Sequence, residues 1–178
     1  MSLNSIMSNI DDWEISIKMD GENLAFGFIE EKGIYTKTKK GIRNYDPNNY
    51  DKFTFLQGFK KVHIHFQNLG LEFVLKEFVK QYKESNNLSK YPSIQIFSEL
   101  LSSDQPNTIQ YDKDKIGNGL IYIFDIKING KSYFYDIQVQ QFLNTLCRFV
   151  TVNNWNCILK NLININLNLI NKTVSNFH

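Results

Sequence analysis

Leu120 to Ile128 constrains the fold more than any other stretch of the chain. Its apolar side chains occupy both faces of an extended segment, with Leu120, Tyr122, Phe124 and Ile126 against Ile121 and Ile123. Such a strand belongs in the middle of a covered sheet. Neighbours are available. Trp13 to Lys18 alternates apolar and polar side chains, and Asp20-Gly21 then permits a tight turn. Leu24, Phe26 and Phe28 resume the alternation, and Lys32-Gly33 turns the chain again before Ile34 to Thr38. Residues 43 to 60, with Pro47 and Gly58, read as loop holding unassigned pieces of structure. Val62 to Phe66 and Ser93 to Leu101 are further strand candidates, and Asn129-Gly130 predicts a hairpin returning through Lys131 to Ile137.

Two segments follow the helical period instead. Leu71, Val74, Leu75, Phe78 and Tyr82 form one stripe over residues 70 to 84, with Glu72/Lys76 and Lys80/Glu84 on the polar side. Val139, Phe142, Leu143, Leu146 and Val150 are spaced for a shorter amphipathic helix. The expectation is an α+β fold of mixed, largely antiparallel sheets with packed helices. Strands of the first 40 residues pack against those at 94–99 and 120–137, and the 70–84 helix covers one face. Asn161 to Asn171 alternates Ile and Leu with Asn and has the period of a strand. The division expected is 1–140 as the functional domain and 141–178 as a helix followed by an Asn/Ile/Leu-rich tail.

With 178 residues, 42% of them hydrophobic, the chain can bury a core without disulfides or a structural metal. Its net charge of +2 neither demands nor excludes a polyanionic partner. Eighteen of the twenty basic residues are Lys, and Asn and Ile are abundant, a bias that AT-rich codons supply. Cys147 and Cys157 are the only cysteines, which favours a cytoplasmic or other reducing intracellular compartment over a disulfide-stapled secreted scaffold. No apolar run reaches the length of a membrane span, so no membrane association is expected, and Met1 to Asp12 lacks a signal-peptide pattern. Oligomeric state is not legible.

Lys18-Met19-Asp20-Gly21 is the first constellation with chemical content. A Lys closing a patterned strand projects from a rigid element, and the Asp-Gly turn brings backbone and carboxylate near whatever the amine meets. Partly buried, such a lysine becomes a nucleophile. The plain alternative is a solvated Lys before an ordinary turn. Lys37, Lys39, Lys40 and Arg43 form a basic cluster suited to phosphates, or simply an exposed hairpin. His63 and His65 share a face if 62–66 is a strand, but no Cys or His completes a zinc ligand set.

Three segments in order resemble the nucleotidyltransferase domain of ATP-dependent RNA ligases, DNA ligases and capping enzymes, phage-type RNA ligases above all. Lys18-Met19-Asp20-Gly21-Glu22-Asn23 is similar to the family's K-x-D-G nucleotidylation motif. Ile96-Phe97-Ser98-Glu99-Leu100 resembles its F-G-E-L segment, with Ser98 in place of Gly, and Ile123-Phe124-Asp125-Ile126 resembles its third. Tyr35 to Gly41 lies where these ligases often carry a basic residue. The resemblance implies an ATP-grasp-like nucleotidyltransferase domain, incomplete at its C-terminal side, using ATP and Mg2+. Lys18 would take AMP as lysyl-AMP, with Asp20 and Gly21 shaping the approach. Glu99 would hold the ribose, Phe124 would cover the adenine, Asn23 would serve the nucleotide site, and Lys37 or Lys39 would meet phosphate. The partners implied are 5′-phosphorylated nucleic-acid ends, RNA rather than DNA.

The pattern then breaks. These ligases continue with a Glu-Gly segment and a Lys-x-Lys segment, yet no glutamate follows Glu99, and beyond Lys131 only Lys160 and Lys172 remain. Two readings stand: a ligase-like nucleotidyltransferase, or a catalytically inactive nucleotide- or nucleic-acid-binding remnant of one. A third treats the motifs as accidents in a small α+β interaction protein.

Overall fold

The computed structural model describes Ser16 and residues 18–38, 41–44, 57–102 and 111–160. The strands are β1 (Glu22–Ile29), β2 (Gly33–Thr38), β3 (Gly41–Asn44), β4 (Ile94–Leu101), β5 (Gly119–Ile128), β6 (Lys131–Ser132) and β7 (Trp155–Leu159). The helices are α1 (Gln57–Leu69), α2 (Leu71–Ser85), α3 (Lys113–Ile116) and α4 (Ile137–Val150). Residues 19–159 form one compact unit. Ser16 and Lys18, which lie outside that unit, are exposed.

The strands join in one sheet of order β3-β2-β1-β4-β5-β6, antiparallel throughout, with β7 added parallel to β5. It does not close into a barrel. Alternation decides which face is buried: Leu24, Phe26 and Phe28 of β1 lie in register beside Ser98, Ile96 and Ile94 of β4. All six are buried, and α1, α2 and α4 contribute to the same core. Each such Leu, Ile or Phe contributes roughly 1.5–3 kcal/mol on burial. The α2 stripe is buried at Leu71, Leu75, Phe78 and Tyr82, and Phe78 stacks on Phe142 of α4 at 3.7 Å between centroids. The mixed α+β expectation holds, as do the 70–84 and 139–150 helices.

Three expectations need correction and one is completed. Residues 62–66 are helical, within α1, because Val62, His65, Phe66 and Leu69 also follow the i, i+3, i+4, i+7 period and turn one helical face inward. The segment read as loop at 43–60 contains the end of β3 and the start of α1. The return after Asn129-Gly130 is brief: β6 spans two residues, and α4 begins at Ile137 with Asp136 accepting a hydrogen bond from the Val139 N–H as its N-cap. Residues 155–159, expected in an appendage, are a strand of the main sheet. Trp13–Ile15, Ile17 and the 161–171 tail lie outside the described residues.

An irregularity in the β4–β5 ladder decides which β5 side chains face away from the helices. Phe97 pairs with Asp125 but Ser98 pairs with Ile123, so a β-bulge leaves Phe124 as the extra residue of β5. The bulge resets the alternation. Ile126 and Ile128 join Ile121 and Ile123 on the helix side, and Asp125 and Lys127 turn to the other face with Tyr122. Alternation read from the sequence alone groups Ile126 with Tyr122 instead.

Candidate functional site

The face of the sheet opposite the helices carries the polar and aromatic residues of interest, and strand register sets them in rows. Across β1, β4 and β5 one row reads Asn23, Glu99, Tyr122. The next runs from β2 to β5 as Lys37, Ala25, Phe97, Asp125, and the third as Tyr35, Gly27, Gln95, Lys127. Adjacent strands lie roughly 4.8 Å apart. Glu99, Asn23, Phe97 and Phe124 are half-buried, Tyr122 is buried and Lys37 is exposed. The Phe124 ring lies 6.5 Å from that of Phe97, tilted by 41°.

Four of the eight residues singled out from the sequence are thus brought to this face: Asn23, Lys37 and Glu99 by register, and Phe124 beside Phe97. Asp20 and Gly21 lead into β1 at its Asn23 end. The Asp20 N–H donates to the Tyr111 hydroxyl at 2.9 Å, which pins the turn to the segment before α3. Gly21 has a packing reason of its own, since a Cβ there would sit 2.7 Å from the Leu100 carbonyl oxygen. Ser98 is fully buried on the helix side and donates to the Leu24 carbonyl at 2.7 Å, a bond that the usual Gly could not make. Lys18 is exposed rather than partly buried. Lys39 lies outside the described residues, and the Arg43 and Lys40 side chains are likewise not described.

Phe97, Tyr122 and Lys127 belong to this surface and were not assigned from the sequence, nor was Tyr111, which holds the turn at Asp20. Phe97 and Lys127 interact, the Lys127 ammonium standing 5.3 Å from the centroid of the Phe97 ring. The Asp125 carboxylate is engaged by the Ser132 hydroxyl and by the Ile126 N–H. Half-burial pushes the Glu22 carboxyl upward, and one of its oxygens is buried with no hydrogen-bond partner. Among the described residues no three His, Cys, Asp or Glu side chains cluster as a metal site. The residues do not make a resident magnesium site. Magnesium entering with a triphosphate needs only one or two carboxylates from a protein.

The histidines are structural rather than paired on a strand. His63 Nε2 shares a hydrogen bond with Thr36 Oγ1 at 2.8 Å, and burial lowers its pKa to about 4. His65 donates to the Val150 carbonyl at 2.8 Å and stacks on Trp155. Beside His63 a cavity of about 220 Å3 opens among β2, α1 and α2, lined by Thr36, Phe66, Gln67 and Glu72 among others, and it contains none of the eight candidates. Cys147 and Cys157 are buried thiols with Sγ atoms 3.1 Å apart; their hydrogen bond and burial push the Cys157 thiol well up. No helix of the described residues is long and apolar enough to cross a membrane.

No protein-family model matches the chain, and no curated protein matches it.

Proposed function

We propose that the sheet face opposite α1, α2 and α4 binds an adenine nucleotide, and that the chain is an RNA-ligase-like nucleotidyltransferase in which Lys18 takes AMP from ATP. One observation carries the reading. Asn23, Lys37, Glu99 and Phe124, chosen from motifs scattered along the sequence, fall on a single face of a single sheet. The finer assignment of the fold as a nucleotidyltransferase domain is part of the same proposal, as is a reducing intracellular location.

The chemistry follows from the residue types. The Glu99 carboxylate accepts hydrogen bonds from ribose hydroxyls, and Phe124 offers an aromatic face to the adenine. Lys37 supplies charge to phosphate. The Lys18 amine attacks the α-phosphorus, an N–P bond forms, the bond to the β-phosphate oxygen breaks, and pyrophosphate leaves while the protons lost from nitrogen pass to solvent. A 5′-phosphate oxygen of a nucleic-acid end then displaces the lysine and carries AMP in a new anhydride. A 3′-hydroxyl attacks that activated phosphate, joining the ends and releasing AMP.

The second reading is a binding remnant, one without charged donors beside the phosphates. Each charged donor aimed at developing charge is worth on the order of a hundredfold or more in rate. The two readings are separated by α-labelled ATP and magnesium. A nucleotidyltransferase gives an acid-labile protein adduct that survives denaturation, disappears in Lys18→Ala and weakens in Asp20→Ala. A folded protein that binds ATP but forms no adduct is the remnant. An adduct undiminished in Lys18→Ala contradicts the assigned nucleophile.

A further inference from the structure

Phe97 and Lys127 form a feature that a single bound nucleotide does not use. Phe97 is one alternation along β4 from Glu99, on the same face, and its ring is 6.5 Å from that of Phe124 on the neighbouring central strand. Adenine covering Phe124 leaves the second ring for another base. Lysines flank the pair on both sides, Lys37 two strands away on β2 and Lys127 on β5. The Lys127 ammonium already stands 5.3 Å over Phe97, and its flexible stem lets it swing from ring to phosphate. Aromatic rings on neighbouring strands of an antiparallel sheet, with cations beside them, are a surface on which single-stranded nucleic acid stacks. Bases stacked inside a duplex offer no such free faces.

We propose that Phe97 and Lys127 are the subsite for a single-stranded nucleic acid, one base stacking on Phe97 and its phosphate meeting Lys127. The subsite deepens the nucleotidyltransferase reading and rests on it for the place of ATP at Phe124. The ring and the amine beside it select this occupant, since each base of a single strand brings one face and one phosphate, while the Asp125 carboxylate opposite Phe97 is held by Ser132 and the Ile126 N–H.

Fluorescence anisotropy with a 5′-phosphorylated single-stranded oligonucleotide, in RNA and DNA arms of one mixed sequence, tests this on the full chain. Phe97→Leu should weaken binding about tenfold, within the range of one lost stack, and Phe97→Trp should restore it. Lys127→Gln should weaken binding at low salt and flatten the logarithmic salt dependence by about 0.7. Phe97-dependent binding in either arm supports the subsite. Equal affinity in Phe97→Leu and the unaltered protein overturns it, as does failure of Phe97→Trp to exceed Phe97→Leu. ATP affinity should be unchanged in Phe97→Leu; if that variant loses ATP and keeps the oligonucleotide, Phe97 belongs to the nucleotide site and the proposal fails. If Phe97-dependent oligonucleotide binding persists while ATP is not bound at all, the subsite stands and the ligase reading falls.

Discussion

Asn23 and Glu99 stand directly opposite each other across the β1–β4 ladder, and Tyr122 faces Glu99 from β5. Directly opposed residues have Cβ atoms about 4.5–5.5 Å apart, so an amide, a carboxylate and a phenol share one line of the sheet. That line holds both donors and acceptors at the spacing of neighbouring strands. It is the chemistry needed to grip a diol, and it lies one alternation from an aromatic pair.

Ser98 connects this line to the core. Its hydroxyl is buried and donates to the Leu24 carbonyl, so it holds β1 and β4 together beneath Glu99. Ser98→Gly, which restores the residue usual in the resembling ligases, should cost about 1–2 kcal/mol through the lost bond and the added chain freedom. Urea denaturation checks this. A variant as stable as the parent would show that the bond contributes nothing.

Gly27 and Gly21 are required by close approach rather than by turn conformation. A Cβ at Gly27 would lie 2.0 Å from the Ile94 carbonyl oxygen and 2.9 Å from the Tyr35 hydroxyl, which itself donates to that carbonyl. At Gly21 the nearest atom would be 2.7 Å away. Both Ala variants should be destabilised, Gly27→Ala the more, by upwards of about 1–3 kcal/mol. Melting temperatures in the reverse order would contradict the packing described.

Alternating apolar side chains made β1, β2 and β4 legible, a run apolar on both faces made β5 legible, and the α2 and α4 stripes were legible at the helical period. α1 was not. Val62 to Phe66 satisfies both periods, and only the longer pattern through Leu69 separates them. The β7 pairing and the Phe97/Ser98 bulge are properties of two segments together, so neither could be read from one. The same distinction applies at the site: Glu99 and Phe124 were visible as motif letters, whereas Phe97, Lys127 and Tyr111 gained meaning only from what they are paired with.

His63 makes stability pH-dependent. Burial lowers its pKa to about 4 in the folded chain against an ordinary value of 6.5. The unfolded chain therefore binds the proton first as pH falls. Stability is full above pH 6.5 and is lost progressively down to about pH 4, by on the order of 3 kcal/mol in all. Urea midpoints from pH 7 to pH 4 should fall steeply for the unaltered protein and less so for His63→Gln. Parallel slopes in the two proteins would remove His63 as the cause.

Equilibrium binding of ATP, measured by titration calorimetry on the folded chain, decides whether the sheet face opposite α1, α2 and α4 is a nucleotide site. The unaltered protein should bind. Phe124→Ala should weaken ATP about tenfold, as the loss of one stacked base does, and Glu99→Gln should weaken it further by removing the ribose acceptor. Lys172→Ala should leave the affinity unchanged. A folded protein that does not bind ATP, or one whose affinity is indifferent to both Glu99 and Phe124, would contradict the assignment.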